Sequence, residues 1–328
     1  MRKLHYALAS AALAGATLFT THEVRVGTVA QTADLVLNSP YLYSWSDGNP
    51  QDPVAVMNTT GIKAFTLAFV VADRDRPVCE PTLDGADRLD RDVTLVQKIR
   101  AAGGDVTFSI GGWAGNKLGE FCSTPQALAD AYQKVIDTYR LKAIDIDIED
   151  REFTEQAQRD RVVEALKITK QRNPSVRTVI TFGNHLDSLP TEAQEIITKA
   201  KEIDAGIDLY ALMPFDNGDP ATDMVALTRN GVDRLQKAVK TTFGLTDDQA
   251  YRKIGFSSMI GLTDRSEVVT LDGWNQMLAY AKDKHLGRVS TWSVNRDYPC
   301  PGQPTGNSCS SIDAPALSFT KALASFQG

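Results

Sequence analysis

The chain has 328 residues, 42% of them hydrophobic and 23% charged, which gives it apolar material for a large packed core and excludes disorder as its dominant state. Its formal net charge is -6, and no run of Lys and Arg interleaved with aromatics occurs, so there is no basic field for a phosphate backbone and nucleic acid is excluded as a partner. Length alone does not choose between one large domain and two modest ones, because barrels of alternating strand and helix run past 250 residues as one unit.

At the N-terminus Arg2 and Lys3 precede an Ala-rich apolar run from Tyr6 to Phe19, the layout of a secretory signal peptide. The run is short for a bilayer and is broken by Ser10 and Thr17, so a retained anchor is the weaker reading. The expectation is a leader over residues 1–30, with Thr28-Val29-Ala30 an acceptable cleavage site, and a secreted, extracellular mature chain over residues 31–328. No later segment reads as a membrane span.

Short β-rich runs then alternate with longer helical patterns. The first strand is expected at Tyr41–Ser46, with Trp45 near its end, and the second at Ala64–Ala72. A helix over Asp90–Ala102 stops at Gly103-Gly104, and a third strand, Asp105–Gly112, runs into Ser109-Ile110-Gly111-Gly112 and Trp113. Ser123-Thr124 cap a helix over Pro125–Tyr139, and Glu155–Arg172 forms another before Asn173-Pro174. Between those helices lies the fourth strand, Ala143–Glu149, followed later by Val176–Phe182, Ile207–Phe215, Ile254–Gly261 and Arg288–Asn295. Trp274 sits on a helical stretch beginning at Leu271 and reads as packing. Eight strand–helix units without a composition break or a linker predict a single-domain α/β fold, a (β/α)8 TIM barrel, whose site lies at the C-terminal ends of its strands.

Cys79, Cys122, Cys300 and Cys309 fit an oxidising compartment and two disulfides. Of three possible pairings, 79 with 122 and 300 with 309 are favoured, because the first two each follow a candidate strand and the second two bracket the turn-rich PGQPTGNS. Zinc is the weaker reading: no close Cys or His pair has ligand spacing, and the four histidines are scattered. No metal or cofactor is expected.

The chemistry concentrates in the fourth strand, AIDIDIE. Alternation of period two sends Asp145, Asp147 and Glu149 to one face, about 6.6 Å apart, and the isoleucines to the other. Carboxylates clustered inside a barrel cannot all ionise cheaply, so burial and mutual repulsion keep a proton among them, and the outermost, Glu149, becomes a general acid. Trp45, Trp113 and Trp292 fall at or near the predicted mouth, where apolar ring faces can stack on sugars. Met213, Phe215, Asp216 and Asn217 end the sixth strand and add a carboxylate and an amide; a capping turn is the bland alternative.

SIGG at 109–112, DIDIE at 145–149, MPFDNG at 213–218 and Trp292, in that order, resemble the glycoside hydrolase family 18 chitinases over nearly the whole mature chain. SMIG at 258–261 and WSVNRD at 292–297, with Cys300 soon after, resemble a secreted bacterial branch of that family. The resemblance implies hydrolysis of β-1,4 bonds between N-acetylglucosamine units by a monomer, assisted by the substrate's own acetamido group and retaining configuration. It implies that Glu149 protonates the glycosidic oxygen, Asp147 orients the acetamido group, Asp145 modulates the shared proton, Trp292 floors the cleaved subsite and Asp216 holds the same sugar. Two departures stand out. Lys142 occupies a position where the fuller motif has Asp, and Phe215 stands where many members place a tyrosine whose hydroxyl binds the acetamido oxygen. Asn217, Tyr210 or a water would have to replace that hydroxyl, and slow turnover is a consequence if none does. His185, after the fifth strand, reads as a structural histidine more readily than as a substrate ligand.

Only Leu262–Thr270 separates the seventh strand from its helix, which leaves no room for the small insertion domain of some relatives and points to an open groove and endo action. An endo-β-N-acetylglucosaminidase acting on N-glycans, a weakly active or inactive chitin-binding lectin, and a barrel using Mg²⁺ or Ca²⁺ for an unrelated hydrolysis are the competing readings.

Overall fold

The computed structural model describes residues 35–43 and 49–328, besides Met1; the expected leader and Trp45 lie outside the described residues. The chain divides into units Met1–Thr32 and Ala33–Gly328, and every element below belongs to the second. Eight strands, β1 (Tyr41–Tyr43), β2 (Ala64–Ala72), β3 (Asp105–Gly111), β4 (Ala143–Asp147), β5 (Arg177–Gly183), β6 (Leu209–Met213), β7 (Ile254–Met259) and β8 (Arg288–Trp292), pair in chain order and in parallel. Closure comes from the segment before β1: Val289 N donates to Leu37 O at 2.7 Å and Ser290 Oγ to Ser39 O at 2.7 Å. The predicted TIM barrel is therefore the observed fold.

Eight helices cover the strands: α1 (Pro53–Thr60), α2 (Val93–Ala101), α3 (Pro125–Tyr139), α4 (Gln156–Arg172), α5 (Thr191–Glu202), α6 (Met224–Phe243), α7 (Leu271–Asp283) and α8 (Ser318–Ala324). α3 shows how sequence dictates such an element. The Thr124 side chain accepts from Ala127 N at 3.1 Å, Pro125 occupies the first turn where its missing N–H costs nothing, and Leu128, Tyr132, Val135, Ile136 and Tyr139 recur on one buried stripe. Arg140 ends the helix with φ 50°. Outward-facing strand residues such as Phe65, Phe108, Ile144, Ile146 and Ile180 pack beneath these helices in the main core, each large side chain contributing about 1.5–3 kcal/mol. Inside the barrel, Val36, Ala143, Val179, Leu209 and Ala211 form a separate small cluster that floors the interior below the acids.

Both disulfides pair as favoured, Cys79 with Cys122 and Cys300 with Cys309. Trp274 is fully buried, its Nε1 donating to Phe319 O at 3.1 Å, so it is packing. The eighth strand stops at Trp292 and a 3-10 turn follows over Val294–Arg296. Additional to the expected eight units, among the described residues, are the short helices Leu118–Phe121, Asp150–Thr154 and Asp247–Tyr251, the strand Pro81–Leu83, which pairs antiparallel with β2, and Gly261–Leu262, which pairs antiparallel with Val268–Val269 in the short connection before α7. Among the described residues no helix is long and apolar enough to cross a membrane.

Candidate active site

β4 lifts its acids in a row. Asp145 is deepest and fully buried: Oδ2 accepts the hydroxyls of Tyr41 at 2.7 Å and Ser109 at 2.8 Å, and Oδ1 accepts that of Thr181 at 2.7 Å. Three hydroxyls from β1, β3 and β5 thus fix the carboxyl group. Asp147, one step up, is 2% exposed, and its Oδ1 has no partner. Burial, then the charges of Glu149 and Asp145, push its proton affinity well above the usual carboxylate range. An orphaned acceptor on a buried acid beneath a cleft is a group prepared for a donor that arrives with a ligand.

Glu149 follows β4 in extended conformation and reaches the cleft. Burial raises its pKa to about 7; the charges of Asp216 and Asp150 push the same way, and Lys117 opposes them. Asp147 and Glu149 titrate as a pair, so near neutral pH the pair retains a proton. This is the arrangement expected from the AIDIDIE pattern, with the outermost acid facing outward into the mouth.

The cleft measures about 870 Å³, and Asp147, Glu149, Met213, Phe215, Asp216, Trp113 and Trp292 all line it. Trp292 rests on a cushion of aromatics: its ring stacks on Phe69 at 5.4 Å and 15°, with Tyr41 at 5.8 Å and Tyr43 at 6.0 Å. Phe69 owes its place to a bulge. The β2–β3 register slips between Ala68 and Val70, which turns Phe69 out of the outward series of Phe65 and Leu67 and into the cleft. Trp113 is 71% exposed, so it is no core residue.

The glycines of SIGG have a physical reason. Gly111 has φ 113°, and a Cβ there would lie 2.2 Å from Asp147 O; Gly112 donates its N–H to that oxygen at 2.8 Å, and a Cβ on it would meet the Phe69 ring at 2.8 Å. β3 and β4 can therefore lie close enough to aim the acids. WSVNRD is a brace. Asn295 exchanges hydrogen bonds of 2.9 Å with both backbone groups of Tyr43, Arg296 donates to the carbonyls of Leu262 at 2.5 Å and Ile260 at 3.2 Å, and Asp297 accepts from Thr320 N at 2.7 Å at the start of α8.

Not every expected residue joins the cleft wall. Asn217 does not line the cleft and is half-buried with an unpartnered side-chain nitrogen, and the Tyr210 ring lies against Phe243 of α6 at 6.1 Å, on the helical side of the barrel, so its hydroxyl cannot replace the one that Phe215 lacks. Asp216, held at φ 60°, is half-buried, and its proton affinity is raised by burial and by Asp264 and Glu267. His185 is exposed outside the cleft wall and its hydrogen bond is made by its carbonyl, to Arg234 at 3.3 Å, so its ring is not the satisfied structural histidine expected. Among the described residues no group of three or more His, Cys, Asp or Glu is placed to hold a metal ion.

Sequence reasoning missed Lys117 and Glu152, which lie buried behind the acids. Lys117 is 1% exposed, its ammonium pulled below the usual lysine range by burial and pushed back by Glu152, Glu149, Asp150 and Glu120. Glu152 is 2% exposed, and burial raises its pKa to about 7 although Gly119 N donates to it at 2.8 Å. The run NKLGE and the run DREF look like solvated surface, and no periodicity in either marks a buried charge.

No family model matches the chain. A search of curated proteins finds a probable bifunctional chitinase/lysozyme of Escherichia coli K12, 26% identical over 329 residues, covering 94% of this chain and 36% of that protein. It also finds endochitinase 11 of Metarhizium anisopliae, 27% identical over 303 residues, covering 86% of this chain and 56% of that protein. The chain thus spans about a third to just over half the length of these relatives. Among solved structures, active domain 2 of the thermostable chitinase of Pyrococcus furiosus, as catalytic-site mutants complexed with chito-oligosaccharides, superposes with a TM-score of 0.80 at 26% identity over 88% of this chain and 93% of that one.

Proposed function

We propose that this chain, which resembles the family 18 chitinases in its ordered motifs and is similar to chitinases in barrel and sequence, is a glycoside hydrolase that cleaves β-1,4 bonds between N-acetylglucosamine units of chitin or its oligosaccharides. One observation carries the reading: the row Asp145, Asp147, Glu149 climbs β4 from a fully hydrogen-bonded base to a protonatable carboxyl in a cleft floored by Trp292. The chito-oligosaccharides bound in the Pyrococcus furiosus domain support the same substrate class.

In this mechanism the Glu149 proton passes to the glycosidic oxygen as the bond from the anomeric carbon to that oxygen breaks. The substrate's acetamido oxygen closes on the anomeric carbon from the opposite face, and Asp147, whose Oδ1 lacks a partner, takes the acetamido N–H and stabilises the cyclic cation. Glu149, now a carboxylate, removes a proton from the incoming water, which opens the ring with net retention. The charge of Asp145 raises the proton affinity of Asp147 above it, Trp292 supports the distorted sugar, and Asp216 holds that sugar by hydrogen bonding. The hairpin before α7 adds no cover domain, which favours endo action on an open groove. Export by the N-terminal leader belongs to the same reading, and the two disulfides are consistent with it.

Incubation with N-acetylglucosamine oligomers and with an N-glycosylated protein, followed by mass analysis, tests the substrate class. Shortened oligomers are expected; release of whole glycans without oligomer cleavage would contradict the proposal.

A further inference from the structure

We propose that Lys117 is a positioning residue for the cleft: its ammonium ties the Trp113–Gly115 loop into one shape and thereby fixes the exposed Trp113 as a wall for the oligosaccharide. The inference rests on the reading of the cleft as an oligosaccharide site and adds a residue outside it. Lys117 does not line the cleft. It lies behind the loop, 1% exposed, and its Nζ donates to Trp113 O at 2.8 Å, Ala114 O at 3.0 Å and Gly115 O at 3.0 Å.

An ammonium group has three protons, and here three successive carbonyls take them all. Three consecutive carbonyls converging on one point define the backbone of the loop that carries Trp113. A cation buried to serve a surface loop is costly to desolvate, and a loop needed only as a connection could be closed by a neutral turn residue. The surrounding ties show that the whole segment is held. Gly112 N donates to Asp147 O at 2.8 Å, Gly119 N donates to Glu152 at 2.8 Å, Arg161 donates to Gly119 O, and Cys122 is joined to Cys79. What this framework presents to solvent is Trp113, 71% exposed and on the cleft wall. An exposed indole on a flexible loop must order the backbone beneath it when it stacks; on a fixed loop that backbone ordering has already occurred during folding.

If Lys117 acts through Trp113, the two substitutions must not add. The test uses the full chain carrying Glu149→Gln, which keeps substrate intact, and reads the dissociation constant for the N-acetylglucosamine hexamer by calorimetry. Trp113→Ala and Lys117→Met are each expected to weaken binding about tenfold, and the double variant also about tenfold. In the hydrolytic chain at pH 5, where Glu149 stays protonated, Lys117→Met is expected to raise KM for the hexamer by a similar factor with kcat within about twofold, and Lys117→Arg to restore part of the loss. Should Lys117→Met not fold, Lys117→Arg, which cannot place its donors on the same three carbonyls, carries the same comparison with a smaller loss. Unchanged affinity in the lysine variant, or a double variant weakened about a hundredfold, overturns the proposal while leaving the glycosidase reading intact. A Glu149→Gln chain that binds no hexamer overturns both.

Discussion

The hydroxyl of Tyr41 donates to Oδ2 of Asp145 at 2.7 Å, joining the first strand of the barrel to the deepest acid of the fourth. The same Tyr41 ring lies 5.8 Å from that of Trp292, so one residue braces both the acid row and the cleft floor. Tyr41→Phe keeps the ring and removes the donor. It is expected to lower kcat about tenfold and stability by about 1–3 kcal/mol, because a fully buried carboxylate loses one of its three donors. Thermal melting and steady-state rates check both, and a variant with wild-type kcat would show that Asp145 needs only Ser109 and Thr181.

The basic limb of the activity profile reports Glu149. With Glu149 as the proposed acid, its pKa of about 7 in the free protein means that the protonated form is lost as pH rises through that value, so kcat/KM is expected to fall about tenfold per pH unit beyond it. Among the surrounding charges that raise it, that of Asp216 is the largest, so Asp216→Asn is expected to move the limb to lower pH. A limb that stays in place or moves upward would refute that coupling. Asp216→Asn also raises KM, since Asp216 lines the cleft.

Glu152 gives a stability effect separable from activity. Its folded pKa is raised from 4.5 to about 7, so the folded state binds the proton more tightly. The contribution is complete below the unfolded value and disappears as pH rises through 7, amounting to roughly 3 kcal/mol for a shift of this size. Glu152→Gln keeps an acceptor for Gly119 N and cannot titrate, so its melting temperature relative to the native chain is expected to climb between pH 5 and pH 8. Parallel melting curves across that range would contradict the buried-acid assignment.

The two disulfides differ in reach. Cys79–Cys122 closes a separation of 43 residues and Cys300–Cys309 one of 9, for which chain entropy gives about 4 and about 2.6 kcal/mol. Paired Cys→Ala variants are expected to lose stability in that order. The reverse order, read by denaturant unfolding, would show that the 300–309 loop is held by more than its own closure.

Period two made the acid row legible, because the isoleucines had to face the helices and only one face remained for Asp145, Asp147 and Glu149. β2 and α3 also stand where the pattern put them, β2 as one apolar run and α3 between a capping threonine and a helix-ending arginine. Phe69 was hidden because a bulge breaks the alternation that sequence reasoning assumes. Arg288 and Arg296 are both fully buried, and nothing in the sequence marks either as a buried charge. Their partners are backbone carbonyls and hydroxyls, Val36 O and Thr66 Oγ1 for Arg288 and the Ile260, Leu262 and Gly306 carbonyls with Thr305 Oγ1 for Arg296, and such acceptors leave no trace in residue type. The same holds for Lys117. WSVNRD was visible as a motif, but its bracing role emerged only from the contacts of Asn295, Arg296 and Asp297.

The proposed chemistry requires a carboxyl at 149 to work with the substrate's acetamido group. Proton NMR of the products in the first minutes after adding the N-acetylglucosamine hexamer reads this directly. Retention predicts that new reducing ends appear first as the β-anomer and then relax toward equilibrium, and that Glu149→Gln yields none. An initial excess of the α-anomer, or undiminished cleavage by the Glu149→Gln chain, would contradict it.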